Sequence, residues 1–157
     1  MAVTATSILY SAAAARRILG LTKSAKVQIQ VWTKVIWVWV KGSRPTLISK
    51  EIFKRHFVEW RKAQAVSLQV SYPTGNHYEV RNEDKETSYW VETRPDGIFC
   101  TCDDCNNQLE FWGKACCKHG YAVLAHIGYE SLSAYLMAQK VVPMPRQASE
   151  PAARYSA

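Results

Sequence analysis

The sequence predicts an α+β fold: a small mixed helix and antiparallel-sheet N-terminal part, followed by a β-hairpin and helix module. Three observations carry this expectation. Period-2 alternation of apolar and polar residues recurs in short segments bounded by turn residues, the pattern of half-buried antiparallel strands. Helical spacing marks about 5–20, 49–64, 118–127 and 131–139. Finally, Cys100-Thr101-Cys102 and Cys117-Lys118-His119 place two close pairs of soft ligands within twenty residues.

Taken in order, the alanines of about 5–20 favour helix, with Ile8, Leu9, Ala12, Ala15, Ile18 and Leu19 approximating one apolar face and Gly20 as a stop. Residues 27–40 are rich in β-branched and aromatic types, and the alternation of Val27, Ile29 and Val31 changes phase further on. Such a change means either one strand buried on both faces or a hairpin turning near Thr33-Lys34. Gly42 and Pro45 mark a loop, and Ser49 is placed to cap a helix running to about Gln64. Its Ile52, Phe53, Phe57 and Trp60 form a core stripe, with Lys54, Arg55, Arg61 and Lys62 pointing elsewhere. His56 on the same helix is read as a surface or packing residue.

Residues 65–72 read as a half-exposed strand, Pro73-Thr74-Gly75-Asn76 as a turn, and Tyr78-Glu79-Val80 as the returning strand. A polar loop follows at 82–86. Residues 88–93 and 98–102 then form a hairpin about Arg94-Pro95-Asp96-Gly97, which delivers the first cysteine pair at its end. A loop at 103–116, a helix at 118–127, a joint at Gly128 and a second helix at 131–139 complete the ordered chain. We therefore divide the sequence into a basic α/β part (1–87), a metal module (88–140) and a disordered tail rich in proline and small residues (141–157).

Composition sets the class. Of 157 residues, 48% are hydrophobic and 21% charged, and no apolar run reaches the ~20 residues needed to span a bilayer. The formal charge of +7 is unevenly placed, since Arg16, Arg17, Lys23, Lys26, Lys34, Lys41, Arg44 and Lys50 all precede the first acid, Glu51. A basic end on a near-neutral body favours a polyanionic partner, nucleic acid first and membrane surface second. Five cysteines, an odd number, with no clear secretory signal argue against a disulfide framework and for a reducing compartment such as the cytoplasm. The Ala- and Ser-rich, acid-free opening with Arg16 and Arg17 also matches an organelle transit peptide, so import by the N-terminus stays open.

In an extended segment, residues two apart face the same side, so Cys100 and Cys102 can grip one ion. Cys117 and His119 can converge from a helix cap and first turn, where the helix dipole favours thiolate. Together they make a Cys₃His tetrahedral set suited to Zn²⁺, closed to an activated water and hence structural. Three thiolates leave the site formally at −1, with Lys114 and Lys118 near in sequence to offset it. Cys102 and Cys105 with Cys116 and His119 form a rival C-x₂-C and C-x₂-H set, and an iron–sulfur cluster using Cys105 or Cys116 is a further alternative. His126 lies two turns beyond His119, roughly 10 Å along the axis and too far to share the ion. Asp103 and Asp104 read as a solvated pair. No enzymatic role is expected: Cys117 and His119 serve better as ligands than as nucleophile and base, and the seven glycines form no phosphate-binding motif.

The run at 88–128, with its C-x-C, variable gap and C-x-H, resembles a SWIM zinc finger. The resemblance implies a short hairpin and a helix gripping zinc through Cys100, Cys102, Cys117 and His119, with Cys105 and Cys116 outside the shell. SWIM modules occur in transposases, helicase-associated and recombination-accessory proteins and ubiquitin-ligase components. Two functions are therefore weighed. In the first, zinc fixes the module while Arg16, Arg17, Lys23, Lys26, Lys34, Lys41, Arg44, Lys50, Lys54, Arg55, Arg61 and Lys62 contact nucleic-acid phosphates. In the second, the module docks a protein partner, using Trp90 and Trp112 beside the ligands as anchors, although both are expected in the core.

Overall fold

The computed structural model describes residues 3–140. The segment 141–157, expected to be disordered, lies outside the described residues. Among the described residues, seven strands form two antiparallel sheets, and six helices and one 3₁₀ turn accompany them, each sheet carrying helices on one face. Among the described residues no helix is long and apolar enough to cross a membrane.

The N-terminal helical stretch is two helices, α1 (Ala5–Leu9) and α2 (Ala12–Ile18), where one was expected. Tyr10 adopts an extended conformation, and the Ser11 side chain accepts the Ala14 N–H at 3.1 Å. Serine competes for backbone donors at a cap better than it sustains a helix interior, so the chain restarts there. The phase change at 27–40 is a hairpin: β1 (Val27–Val31) pairs with β2 (Val35–Val40), closed by a Trp32 N–H to Val35 C=O bond of 2.9 Å. A third strand, β3 (Thr46–Ser49), joins β2 in the stretch following the Gly42–Pro45 loop. It is too short for alternation to announce it, yet Ile48 points into the core and Leu47 into solvent.

Helix α3 (Lys50–Ala65) starts at the expected cap, where Ser49 Oγ accepts the Ile52 N–H at 3.4 Å. Its Phe53 is fully buried with Ile36, Val38, Ile48, Ala14 and Ala15, so α2 and α3 close one face of the first sheet. Of the stripe's other members, Phe57 and Trp60 are half-buried and Ile52 is exposed. The helix keeps Ala65, delaying strand β4 to Gln69–Thr74 and leaving Val66 almost fully exposed instead of strand-paired.

The second sheet has the order β4-β5-β6-β7, with β5 at His77–Asn82, β6 at Thr87–Arg94 and β7 at Gly97–Cys100. A 3₁₀ turn, Glu83–Lys85, links β5 to β6. Tyr78, Val80, Val91 and Ile98 face inward onto helices α5 (Lys118–His126) and α6 (Leu132–Lys140). The domain boundary expected at 87 therefore falls inside a continuous sheet. The division of the cores comes earlier, because Phe53 belongs to the first and Ala65 and Leu68 to the second.

The expected loop at 103–116 holds a helix, α4 (Asp103–Trp112). Cys102 caps it, Asp103 and Asp104 occupy the first turn where the dipole favours acids, and Gly113 ends it at φ 65°. A bidentate ion pair joins the two cores: Arg61 Nε and one terminal nitrogen donate to both Asp104 oxygens at 2.9 and 2.6 Å. Asp104 is therefore not the solvated acid the sequence suggested.

Candidate metal centre

Each ligand candidate arrives on a separate structural device. Cys100 ends β7, held against β6 by its pairing with Val91. Cys102 is the N-cap of α4 and its Sγ accepts the Cys105 N–H at 3.4 Å. Cys117 is the N-cap of α5 and its Sγ accepts the Gly120 N–H at 3.4 Å, while His119 lies in the first turn of that helix. Two sulfurs thus take the place of the oxygen that normally caps a helix, where N–H donors and the helix dipole stabilise thiolate.

The Sγ atoms of Cys100, Cys102 and Cys117 and a ring nitrogen of His119 all lie within 4.8 Å of one another, and all four residues are buried. Nδ1 of His119 is 3.5 Å from the Cys100 sulfur and 3.8 Å from that of Cys117. A tetrahedron with Zn–S of ~2.3 Å and Zn–N of ~2.05 Å has S···N edges of about 3.6 Å. The cluster therefore has the size and donor chemistry to hold one metal ion. Tyr89 stacks on the imidazole with ring centroids 4.3 Å apart and planes inclined by 27°, which fixes the ring with Nδ1 towards the sulfurs.

Without a metal the thiols share protons among themselves. Cys102 is held far below the ordinary thiol range by hydrogen bonds from Cys100 and Cys117. As donor to Cys102, Cys100 is pushed up to about 12, and Cys117 is raised further by its bonds to Cys100, Cys102 and Cys105. A divalent cation held by all three sulfurs would bind them as thiolates, with release of the protons that Cys100 and Cys117 hold.

Cys105 and Cys116 stand outside this group. Cys105 is buried in the first turn of α4, where its sulfur accepts the Cys100 N–H at 3.3 Å, so it supports the ligand loop from behind. The Cys116 thiol is pushed up to about 12 by burial, and its backbone N–H donates to Gln108 Oε1 at 3.0 Å. Gly120 marks a close approach of α5 to β7, where a Cβ would lie 3.4 Å from both the Cys116 sulfur and Ile98 Cγ2, at ordinary contact distance. His126 packs edge-on against Tyr78 with centroids 6.1 Å apart, away from the cluster.

The structure distributes the basic candidates unevenly. Arg61 is only 8% exposed and committed to Asp104, which removes it from any phosphate-facing set. Arg17 lies 4.2 Å over the Trp60 ring and donates to His56, Lys54 pairs with Glu51, and Arg55 approaches Glu59 at 3.9 Å. Arg16 donates to the Ala25 carbonyl, while Lys50 and Lys62 lie over the rings of Tyr10 and Tyr121. Lys23, Lys26, Lys34, Lys41 and Arg44 are exposed and enter no ion pair among the described residues. Trp90 and Trp112, expected in the core, are instead 49% and 36% exposed. For Trp90 the reason is register, because Tyr89 and Val91 take the inward positions of β6.

No family model, curated protein or solved structure matches the chain. Its chemistry is read from its own residues.

Proposed function

We propose that this is a zinc-binding accessory protein of SWIM type, whose metal is structural and whose basic N-terminal half binds nucleic acid. The observation that carries the metal half is the buried Cys₃His cluster, with its four ligand atoms closed around the space of a single ion. A closed shell leaves no position for a reacting water, so the ion's work is to tie β7, α4 and α5 together. Donor atoms this close also favour one ion over an iron–sulfur cluster, whose several irons need a wider cage. The hairpin, C-x-C, C-x-H and following helix that suggested the SWIM resemblance support the finer reading.

The nucleic-acid half rests on charge: eight cations precede the first acid, and Lys23, Lys26, Lys34, Lys41 and Arg44 remain unneutralised at the surface. Binding titrations at increasing salt test it. A log–log slope of about 0.9 per phosphate neutralised is expected on duplex DNA. Binding that is absent, or indifferent to salt, contradicts the proposal. A protein-partner reading draws on Trp90, exposed on the outer face of β6 beside Phe99 and Thr101. A stoichiometric partner that survives nuclease treatment and is lost in Trp90→Ala would favour it.

A further inference from the structure

The first sheet has one face in the core and one outside it. Ile36, Val38 and Ile48 point inward, with Val27 and Ile29 packed against them, under α2 and α3. By alternation the other face presents Gln28 and Gln30 from β1, Trp37 and Trp39 from β2, and Leu47 from β3, none of which belongs to either core. Register sets Trp39 opposite Gln28, and Trp37 between Gln30 and Leu47. Trp32 extends the row at the hairpin turn, where its indole N–H donates to Gln30 Oε1 at 3.4 Å and its ring is 46% exposed. Trp37 and Trp39 are half-buried, so each keeps part of its ring open to solvent, and a face outside the core that gathers three tryptophans is unusual, since such rings normally seek burial.

Charge selects what can cover it. Lys26 and Lys41, joined by a 3.1 Å backbone bond, continue the same alternation at one end of the hairpin, and Lys34 stands in the turn at the other. No acidic residue occurs anywhere in the chain before Glu51, so the sheet supplies no carboxylate of its own. Aromatic rings bordered by unpaired cations match an unpaired nucleic-acid strand, whose bases stack on the rings while its phosphates meet the lysines. Rings two residues apart on one strand stand about 7 Å apart, so Trp37 and Trp39 offer separate faces to separate bases. A duplex, with its bases already stacked on one another, offers no such faces. Gln28 and Gln30 add amide donors and acceptors that can meet base edges.

We infer that the outer face of the β1-β2-β3 sheet is a stacking platform for single-stranded nucleic acid, with Trp32, Trp37 and Trp39 as the rings. This deepens, and rests on, the nucleic-acid reading above. The test is titration of the full-length, metal-loaded protein with oligo(dT) and with a duplex of equal length, following tryptophan fluorescence and anisotropy. The expected result is tighter binding of oligo(dT) than duplex, with quenching, and an affinity for oligo(dT) that falls about 5- to 100-fold in Trp32→Ala and Trp37→Ala. Trp37→Phe, which keeps a ring, should retain most of the affinity. Trp32 lies beyond the paired residues, so its replacement leaves the ladder intact even if Trp37→Ala perturbs folding. Equal or tighter duplex binding, or wild-type oligo(dT) affinity in Trp32→Ala and Trp37→Ala, or unquenched fluorescence on binding, overturns the platform while leaving the broader proposal standing. Failure to bind either polymer overturns both.

Discussion

The two sheets of this protein are closed by different chemistry. The β1-β2-β3 sheet is sealed by ordinary apolar residues, Phe53 of α3 and Ala14 and Ala15 of α2 against Ile36, Val38 and Ile48. The core of the β4-β5-β6-β7 sheet contains all five cysteines, four of them in or beside the cluster as sulfur ligands or support, together with His119. Polar, ionisable groups at the centre of a core are costly to bury unless something compensates them. The first half is closed by apolar burial, whereas the second is built around a cluster that could hold a metal ion, so under the proposed function the two halves should respond differently to the same treatment.

Metal removal should separate them most. Zinc in a small Cys/His module contributes apparent binding free energy on the order of 10 kcal/mol or more at neutral pH, coupled to folding. Chelation is expected to abolish hydrogen-exchange protection in β7, α4 and α5 while protection persists in β1 and β2. Acid should act in the same direction. Cys100 and Cys117 hold their protons in the metal-free cluster, so binding releases protons and apparent affinity falls as pH falls. Affinity that is flat between neutral and mildly acidic pH would contradict this thiol assignment.

The reciprocal experiment is a cavity in the other core. Phe53→Ala should cost about 3–5 kcal/mol in denaturant midpoint analysis, yet metal content should stay at one ion per chain. Smaller still is the tie between the halves. Asp104→Ala leaves the Arg61 guanidinium buried and unpaired, and because Asp104 is itself 38% exposed the cost should be about 2–3 kcal/mol, less than for a fully buried pair. Loss of coincidence between unfolding transitions followed in the two sheets would show that this pair couples them.

What was legible in the sequence follows the range of the interactions involved. Alternation in 27–31 is a local signal and a strand lies there, and the hairpin expected at 88–93 and 98–102 lies at Thr87–Arg94 and Gly97–Cys100. The ligand spacing is equally local, with Cys117 and His119 at a helix start as expected, but the strand expected to run to Cys102 ends at Cys100, so Cys102 reaches the cluster as the cap of α4 and not by strand alternation. Helix α4 is harder to read because its cap is a sulfur and its two acids resemble a solvated pair, although Asp103-Asp104 before Leu109 and Gly113 carry start and stop signals. The fate of Arg61 had no local signature. Its partner is 43 residues away, and only the packing of α3 against the metal half turns a surface cation into a buried one. Trp90 was misassigned for a related reason, since composition says aromatic and only the register of β6 says outward.

The account turns on which sulfurs bind the ion, and metal analysis of Cys100→Ser and Cys105→Ser, purified side by side and quantified per chain, tests that most directly. Both cysteines are buried, and only Cys100 lies within the four-ligand group. Cys105→Ser should retain one zinc per chain, and Cys100→Ser should lose most of it. Full zinc in Cys100→Ser together with its loss in Cys105→Ser would contradict the account and move the centre to the rival set of Cys102, Cys105, Cys116 and His119.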